Sequence, residues 1–429
     1  MTQLQDTLWR RTARGSFTPD TQLPTHIDVA IIGGGFTGLT AAYHLAKAGK
    51  SVAVFEMSAL GEGASGQNAG FVVPNFALMD PKAVCAKLGK ARGDALLDHV
   101  GAGADAVFDL IRAEGIQCDA AQTGWLNPAA TQADAQMLQA RAALWRTRGR
   151  PVRYLGKDQI LKQTSMKIYQ GALLDDSGGT IHPLDYLLGL ANAVQRHGGQ
   201  VFDHCGVSRM KRVGNGWRVQ LQDGRSLPAQ SVLLCTNAFT SGAARTLGST
   251  SVPLRVYQVA TKPLDAQTAA RIAPDRRPVG DTRKNLFTYR LDRDNRLISG
   301  GMAAIPVGAK ARLGKTIVAR LASELALPDT PETEVVWTGV AAVTPDFLPR
   351  IHAIGPNAFA GIGCNGRGIA MTAQLGHTLA QAVLGTPTKD LPIPMRKLRK
   401  IPFHALSPIA ASAGLIKARL TDALTSSKD

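Results

Sequence analysis

IDVAIIGGGFTGLTAAYHLAKAGKSVAVFE, residues 27–56, reads as a strand, a glycine turn, a helix and a second strand. Residues 27–32 are apolar and rich in β-branched side chains, as a buried strand requires. Leu39, Ala42 and Leu45 recur at helical spacing, Gly49 ends the helix, and residues 51–55 form the second, parallel strand. The glycines of the GxGxxG turn have separate tasks. Gly33 permits the tight strand-to-helix turn, Gly35 lets the backbone approach a pyrophosphate, and Gly38 lets helix and strand pack closely. The helix start at Phe36 and Thr37 offers unpaired N–H groups and a partial positive charge to phosphates. Glu56, 18 residues after Gly38, can accept hydrogen bonds from ribose hydroxyls, and its charge would repel a 2′-phosphate. A glycine-rich turn in an ordinary β-α-β unit is the alternative, but the acid at this distance favours a dinucleotide site.

A second small-residue loop follows at residues 60–70, LGEGASGQNAG, with Gly63, Ala64, Ser65, Asn68, Ala69 and Gly70. A nicotinamide domain has no need of it. A flavin does, because its ring system must lie flat against backbone.

With this loop the chain resembles the FAD-dependent D-amino-acid oxidase superfamily, and within it the branch of γ-glutamylputrescine oxidoreductase, with glycine and sarcosine oxidases as cousins. Further motifs follow in the family's order. Residues 232–238 (VLLCTNA), with Thr236 and Asn237, resemble the second FAD motif. Residues 337–339 (WTG), 344–346 (TPD) and 348–351 (LPRI) resemble the tract before the last flavin strand, with Gly339 in it. Residues 361–370 (GIGCNGRGIA) resemble the final glycine loop, with Gly363, Asn365, Gly366, Arg367, Gly368 and Ile369. Val207 matches the family's adenine-side backbone contact. The resemblance implies an α/β (α+β, two-domain) fold, in which a Rossmann-type FAD-binding domain is combined with a discontinuous antiparallel-sheet substrate domain. The implied division is 1–115, 180–250 and 335–395 for the FAD-binding domain, 116–179 and 251–334 for the substrate domain, and a basic tail at 396–429.

The resemblance also bears on the cofactor linkage. Aligned on residues 344–346, the cysteine that sarcosine oxidases bond to FAD falls on Gly339, and no histidine lies between Glu56 and Gly70. Dissociable FAD is the expectation, with Cys364 as a buried thiol. The family usually has His where this chain has Arg367. A permanent charge there could stabilise reduced flavin or hold a substrate carboxylate, or the residue could be a surface Arg paired with an acid. The helix expected over residues 369–384 would turn its positive end to the flavin.

On the substrate side, residues 252–261 and 285–301 read as strands of the second sheet and carry Tyr257, Tyr289 and Arg290. Arg could clamp a carboxylate and the phenols could pack the substrate, though aromatics on strands are usually core and Arg usually faces water. Residues 216–225 read as a hairpin turning at Asp223-Gly224, and residues 184–197 as a helix. A rough alignment puts Ile298 where sarcosine oxidases carry an oxygen-activating Lys, which favours a dehydrogenase passing electrons to a quinone or carrier protein over one using O2.

Composition sets the outer bounds. The 429 residues exceed one typical core, and 45% hydrophobic residues exclude collagen-like, coiled-coil or disordered chains. Five scattered cysteines form no CxxC pair and nine histidines no HExxH, so neither a disulfide framework nor a metal site is expected, and a cytoplasmic, reducing compartment fits. Arg10-Arg11 lacks a following export-type apolar region, and residues 29–43 are too short to span a bilayer. The basic excess behind the net charge of +17 is partly clustered, at residues 141–153 and at 396–400, the latter before an apolar stretch over 401–424. That segment could lie on an anionic membrane surface, inner face of the membrane included, or pack as a C-terminal helix; nucleic acid is not expected. Three functions remain: oxidation of a small amine or amino acid by hydride transfer to flavin, oxidation of a hydroxy acid or alcohol on the same fold, or a non-catalytic flavin-bearing electron relay.

Overall fold

The computed structural model describes residues 4–239, 242, 245–407, 412, 414 and 416. Most of the tail expected to hold a membrane-surface segment, residues 417–424 included, lies outside the described residues.

The strand Ile27–Ile32 is the centre of an eight-stranded sheet. It is buried along nearly its whole length, its alternate side chains packing into hydrophobic clusters on the two faces of the sheet, and parallel neighbours flank it on both sides. One is Val52–Phe55, with Val29 opposite Val52; the other is Ser226–Leu234, with Ile32 opposite Leu234. Gln200–Phe202 extends one edge, and Ala358–Ile362 followed by Arg350–Gly355 the other. Gly216–Leu221 runs antiparallel to Ser226–Leu234, and the chain turns between them at Asp223-Gly224 as the sequence predicts. The helices Phe36–Lys47, Pro183–Arg196 and Gly368–Val383 pack beside this sheet. Two of them meet at van der Waals limits: a Cβ on Gly376 would lie 2.5 Å from the Thr37 carbonyl oxygen.

The second sheet has the order Thr333–Val343, Val252–Pro263, Arg296–Gly301, Thr288–Leu291, Val279–Gly280, Trp125–Ala129, Gly171–Asp175, Val152–Gly156. All its pairs are antiparallel except that of Val279 with Leu126. The division expected at residue 335 is thereby corrected. Thr333–Val343 stays beside Val252–Pro263 along its full length, from Thr333 opposite Thr261 to Val343 opposite Val252. The chain returns to the first sheet only at Arg350.

The concentrated arginines of residues 141–153 do not form one bare patch. Arg148 pairs with Asp94 and Asp98, Arg150 with Asp105 at 2.5 Å, and Arg153 with Asp176 at 3.1 Å. Among the described residues no helix is long and apolar enough to cross a membrane.

Three histidines gather where helices Phe36–Lys47, Lys90–Gly101 and Gly368–Val383 meet. The His44 and His377 rings stack 4.5 Å apart, and the His99 ring lies 5.8 Å from His377. Burial lowers His44 and His99 to about 4, from an ordinary value near 6.5. The folded state therefore binds fewer protons than the unfolded state between pH 6.5 and 4, and these residues contribute stability above that window that is lost as pH falls through it. Replacing His44 by Gln, which does not titrate, should destabilise the protein most above pH 6.5. The gap to wild type, read from chemical denaturation midpoints, should narrow steadily towards pH 4. A gap independent of pH would contradict the buried neutral imidazole.

Candidate functional site

A cavity of about 1030 Å³ lies between the two sheets, at the top of the usual range of about 300–1,000 Å³ for ligand pockets. One wall is the strand–turn–helix start of residues 32–37. Gly33 holds φ +108°, and a Cβ on Gly38 would collide with the Gly33 carbonyl, so the turn can only be this tight with glycine at both places. Gly35 caps helix Phe36–Lys47 without a side-chain bond, and the Phe36 N–H is met from across the cavity wall by Ser65 Oγ at 3.0 Å. Glu56 accepts from the Gly34 N–H at 2.8 Å and the Ser58 N–H at 3.2 Å. Burial pushes its carboxyl up, and those N–H groups act against the rise.

The loop of residues 60–70 forms the adjoining wall. Asn68 staples it internally, donating to the Ser65 carbonyl at 2.7 Å and accepting from the Gly70 N–H at 2.9 Å. Its four last carbonyls are tied from outside the cavity. Trp337 Nε1 donates to Gln67 at 2.8 Å and Trp9 Nε1 to Asn68 at 2.6 Å. Arg290 Nη1 donates to Gly70 and Ile181 at 2.8 Å each and to Ala69 at 3.3 Å.

A third wall comes from later segments. Thr236 and Asn237 follow strand Ser226–Leu234, and Thr236 Oγ1 is buried with no partner. Gly339 lies on the strand Thr333–Val343. Asn365 fixes the last glycine loop, accepting from the Thr344 N–H and donating to the Gly363 carbonyl at 2.8 Å each. Gly366, Arg367, Gly368 and Ile369 line the cavity where helix Gly368–Val383 begins. Two helix N-termini thus open on one space, so it is electropositive and suited to an anionic ligand.

Of the residues expected at the dinucleotide site, Gly33, Gly35, Phe36, Thr37, Glu56, Gly63, Ala64, Ser65, Asn68, Ala69, Val207, Thr236, Asn237, Gly339, Asn365, Gly366, Arg367, Gly368 and Ile369 share this cavity. Gly38, Gly70 and Gly363 stand behind its surface; the latter two hold positive φ, +74° and +92°.

The three residues expected to face the substrate from the second sheet are elsewhere. Tyr257 packs against Ala309 and Leu313, on the side of the sheet opposite the cavity. Side chains alternate along a strand, and Leu254, Val256 and Gln258 line the cavity instead. Tyr289 is fully buried in the core, its hydroxyl donating to the Ile272 carbonyl at 3.0 Å, while its neighbour Thr288 faces the cavity. Arg290 borders a separate space of about 300 Å³ and stands 5.7 Å from the Trp9 ring. Its bonds to the Ala69 and Gly70 carbonyls make it a positioning residue for the loop.

Sequence reading missed the far wall. On helix Gln132–Arg146, Asp134, Met137 and Arg141 line the cavity, while Ala135, Leu138, Ala142 and Trp145 are buried. Spacings of three and four residues mark one helix face, so the pattern was present. Trp125 and Asn127 alternate onto the cavity from strand Trp125–Ala129. Asp281 lies there too; burial pushes it up to about 6, with Arg283 opposing at 2.7 Å.

A family model described as FAD-dependent oxidoreductase matches residues 28–382. The chain belongs to this DAO family. It is 28% identical over 389 residues to γ-glutamylputrescine oxidoreductase of Escherichia coli (strain K12), covering 88% of this chain and 90% of that enzyme. It is 25% identical to a glycine oxidase of Geobacillus kaustophilus over 83% of this chain and 92% of that enzyme. The crystal structure of glycine oxidase from that species superposes with a TM-score of 0.68 at 22% identity, over 85% of this chain and 96% of that one. An L-amino acid deaminase from Proteus myxofaciens gives 0.70 at 15% identity, over 88% and 94%. These likenesses show the same fold.

The residues present fit FAD: the tight glycine turn that puts Gly33 and Gly35 on the cavity wall, the two helix N-termini that open there, and the orphaned Thr236 hydroxyl. Replacing Arg290 by Leu would leave loop carbonyls buried without their donor, at about 1–3 kcal/mol per group. The expected outcome is a lower denaturation midpoint and a lower flavin-to-protein ratio, with unchanged turnover per bound flavin. Full flavin content with impaired turnover would return Arg290 to the substrate side.

Proposed function

We propose that this protein oxidises the C–N bond of a small amine or amino acid, using non-covalently bound FAD. Gly33, Gly35, Phe36 and Thr37 would hold the pyrophosphate, Glu56 the ribose hydroxyls, and Val207 the adenine side. Residues 63–69, Thr236, Asn237, Gly339 and 365–369 would surround the rest. When bound, FAD supplies the acceptor for a hydride leaving the substrate's α-carbon, and the imine so formed hydrolyses in water to a carbonyl compound and an amine.

Enzymes named for amines and amino acids cover most of this chain, but the observation that favours C–N over C–O oxidation lies in the cavity wall. Among the described residues lining it there is no histidine. An alcohol must lose its hydroxyl proton as hydride departs, which calls for a base placed on that oxygen. A neutral amine has a lone pair already available. The carboxylates beyond the loop walls are engaged: Asp281 with Arg283 and the Tyr169 hydroxyl, Asp134 with the Thr282 hydroxyl at 2.8 Å. The remaining tasks are orientation and exclusion of water, for which Trp125, Met137 and Gln258 supply the surface.

Dissociable FAD has support from the two thiols on the cavity wall. Burial pushes Cys235 up to about 12 and raises Cys364, so neither is a thiolate able to attack the ring. Electrons then pass to O2, or to a quinone or carrier protein; Ile298 is buried outside the cavity. A cytoplasmic location is consistent with five free cysteines.

Acid precipitation should release the yellow chromophore into the supernatant. Under anaerobic conditions amines or amino acids should bleach the flavin and hydroxy acids should not; admitting air then distinguishes an oxidase from a dehydrogenase. Bleaching by hydroxy acids alone would overturn the C–N reading.

A further inference from the structure

A second cavity, of about 300 Å³, is lined by two of the residues that hold the loop of residues 60–70 in place, Trp9 and Arg290. It shares no lining residue with the large cavity between the sheets. Arg290 is 3% exposed, and among the described residues no carboxylate comes within ion-pair distance of it. Burial lowers it to about 10, and Asp292 and Asp119 act on it only from farther away. Its Nη1 is spent on backbone carbonyls, and no hydrogen bond among the described residues engages its Nη2. Two more arginines line the same space. Arg276 donates to the Asn295 side chain at 2.8 Å and to the Asp292 carbonyl, both neutral acceptors. Arg293 comes no nearer than 3.7 Å to Asp119 and Asp294. The acids on the wall, Asp119, Asp275, Asp292 and Asp294, are held more closely by arginines outside it, Arg14, Arg277 and Arg296. The Thr123 hydroxyl is buried on this wall with no hydrogen-bond partner. A buried guanidinium without a close anion, beside an unsatisfied hydroxyl, is costly unless a ligand meets both.

We propose that this second cavity binds a phosphate-type oxyanion, free or as the phosphate group of a small ester, and that the anion tightens the flavin-side loop through Arg290. A tetrahedral oxyanion offers acceptors in several directions, which suits three guanidinium groups and a hydroxyl brought from separate segments. Arg290 and Arg293 come from strand Thr288–Leu291 and the turn after it, Arg276 from the end of the segment that follows helix Ala266–Ile272, and Thr123 from the approach to strand Trp125–Ala129. The anion would compensate the charge that Arg290 carries into the interior. It thereby favours the arrangement in which Arg290 holds the Ala69 and Gly70 carbonyls. By linkage the anion then raises the affinity for FAD, and FAD raises the affinity for the anion by the same factor.

The test titrates inorganic phosphate, and separately glycerol 3-phosphate, into the FAD-loaded enzyme by calorimetry, with sodium chloride holding the ionic strength constant. The FAD dissociation constant is then measured with and without each anion. Phosphate should bind saturably and strengthen FAD binding at least about fivefold. Binding of phosphate alone assigns the site to the free ion, and tighter binding of glycerol 3-phosphate assigns it to an ester. The sign of the effect separates this site from the pyrophosphate site of FAD itself, where phosphate would compete and weaken FAD. Arg293→Gln should weaken phosphate at least about tenfold, and Arg293→Lys should recover part of the loss. Thr123→Val, which removes the hydroxyl and keeps the side-chain shape, should weaken it as well. The absence of saturable heat with either anion, weaker or unchanged FAD binding in phosphate, an equal gain in chloride, or phosphate binding unchanged in both Arg293→Gln and Thr123→Val would overturn the proposal.

Discussion

Four consecutive carbonyls, those of residues 67–70, are drawn away from the cavity and satisfied by donors that never reach it. A loop of small residues has little side-chain packing to fix its shape. Left to itself it would sample many conformations, because glycine and alanine restrict the backbone least. Here the restriction comes from outside. Trp9 belongs to the short helix Leu8–Thr12, Trp337 to the strand Thr333–Val343, and Arg290 to the strand Thr288–Leu291. The Trp9 and Trp337 rings stand edge to face, 6.0 Å apart, and both are buried. The loop is thus the point at which the amino-terminal segment, the dinucleotide unit and the second sheet are joined. A flat, rigid wall on the cavity follows from polar groups satisfied behind it.

The same economy of partners explains where the positive charge goes. Many arginines on this chain pair with acids, as Arg196 does with Glu114 and Arg296 with Asp292, Asp294 and Glu334. Around residues 141–153, Arg148, Arg150 and Arg153 are each paired with an acid, so this segment is less basic than its arginine content suggests. Arg141 and Arg367, which have no acidic partner among the described residues, line the cavity alongside two helix N-termini. An anionic cofactor and an acidic substrate group are the ligands that such a field attracts.

The dinucleotide unit was legible because every constraint on it is local. A buried parallel strand, a tight turn and a close helix each demand a residue type at a fixed offset, and Gly33, Gly38 and Glu56 supply them. The hairpin at Asp223-Gly224 and the helix after Pro183 were legible for the same reason. The substrate side depends on which face a strand turns inward, which no local pattern reveals when both faces are buried. Tyr257 and Val256 differ by one position and face opposite ways. Arg290 looked like a ligand for substrate because its acceptors, the carbonyls of Ala69, Gly70 and Ile181, are over a hundred residues away in the chain. Arg141 was hidden among arginines in sequence, and only tertiary pairing separates it from Arg148 and Arg150. The strand Thr333–Val343 shows the converse difficulty: motifs near a cofactor can sit on an element that belongs to the other sheet.

The carbonyl clamp is tested most directly by measuring FAD bound per protein, and its dissociation constant, in a Trp9→Phe/Trp337→Phe double variant. Phenylalanine keeps most of the buried ring surface and removes only the two indole N–H donors. The account predicts a folded protein whose circular dichroism matches wild type, with FAD affinity weakened at least about tenfold. Wild-type affinity and full FAD content in that variant would contradict it.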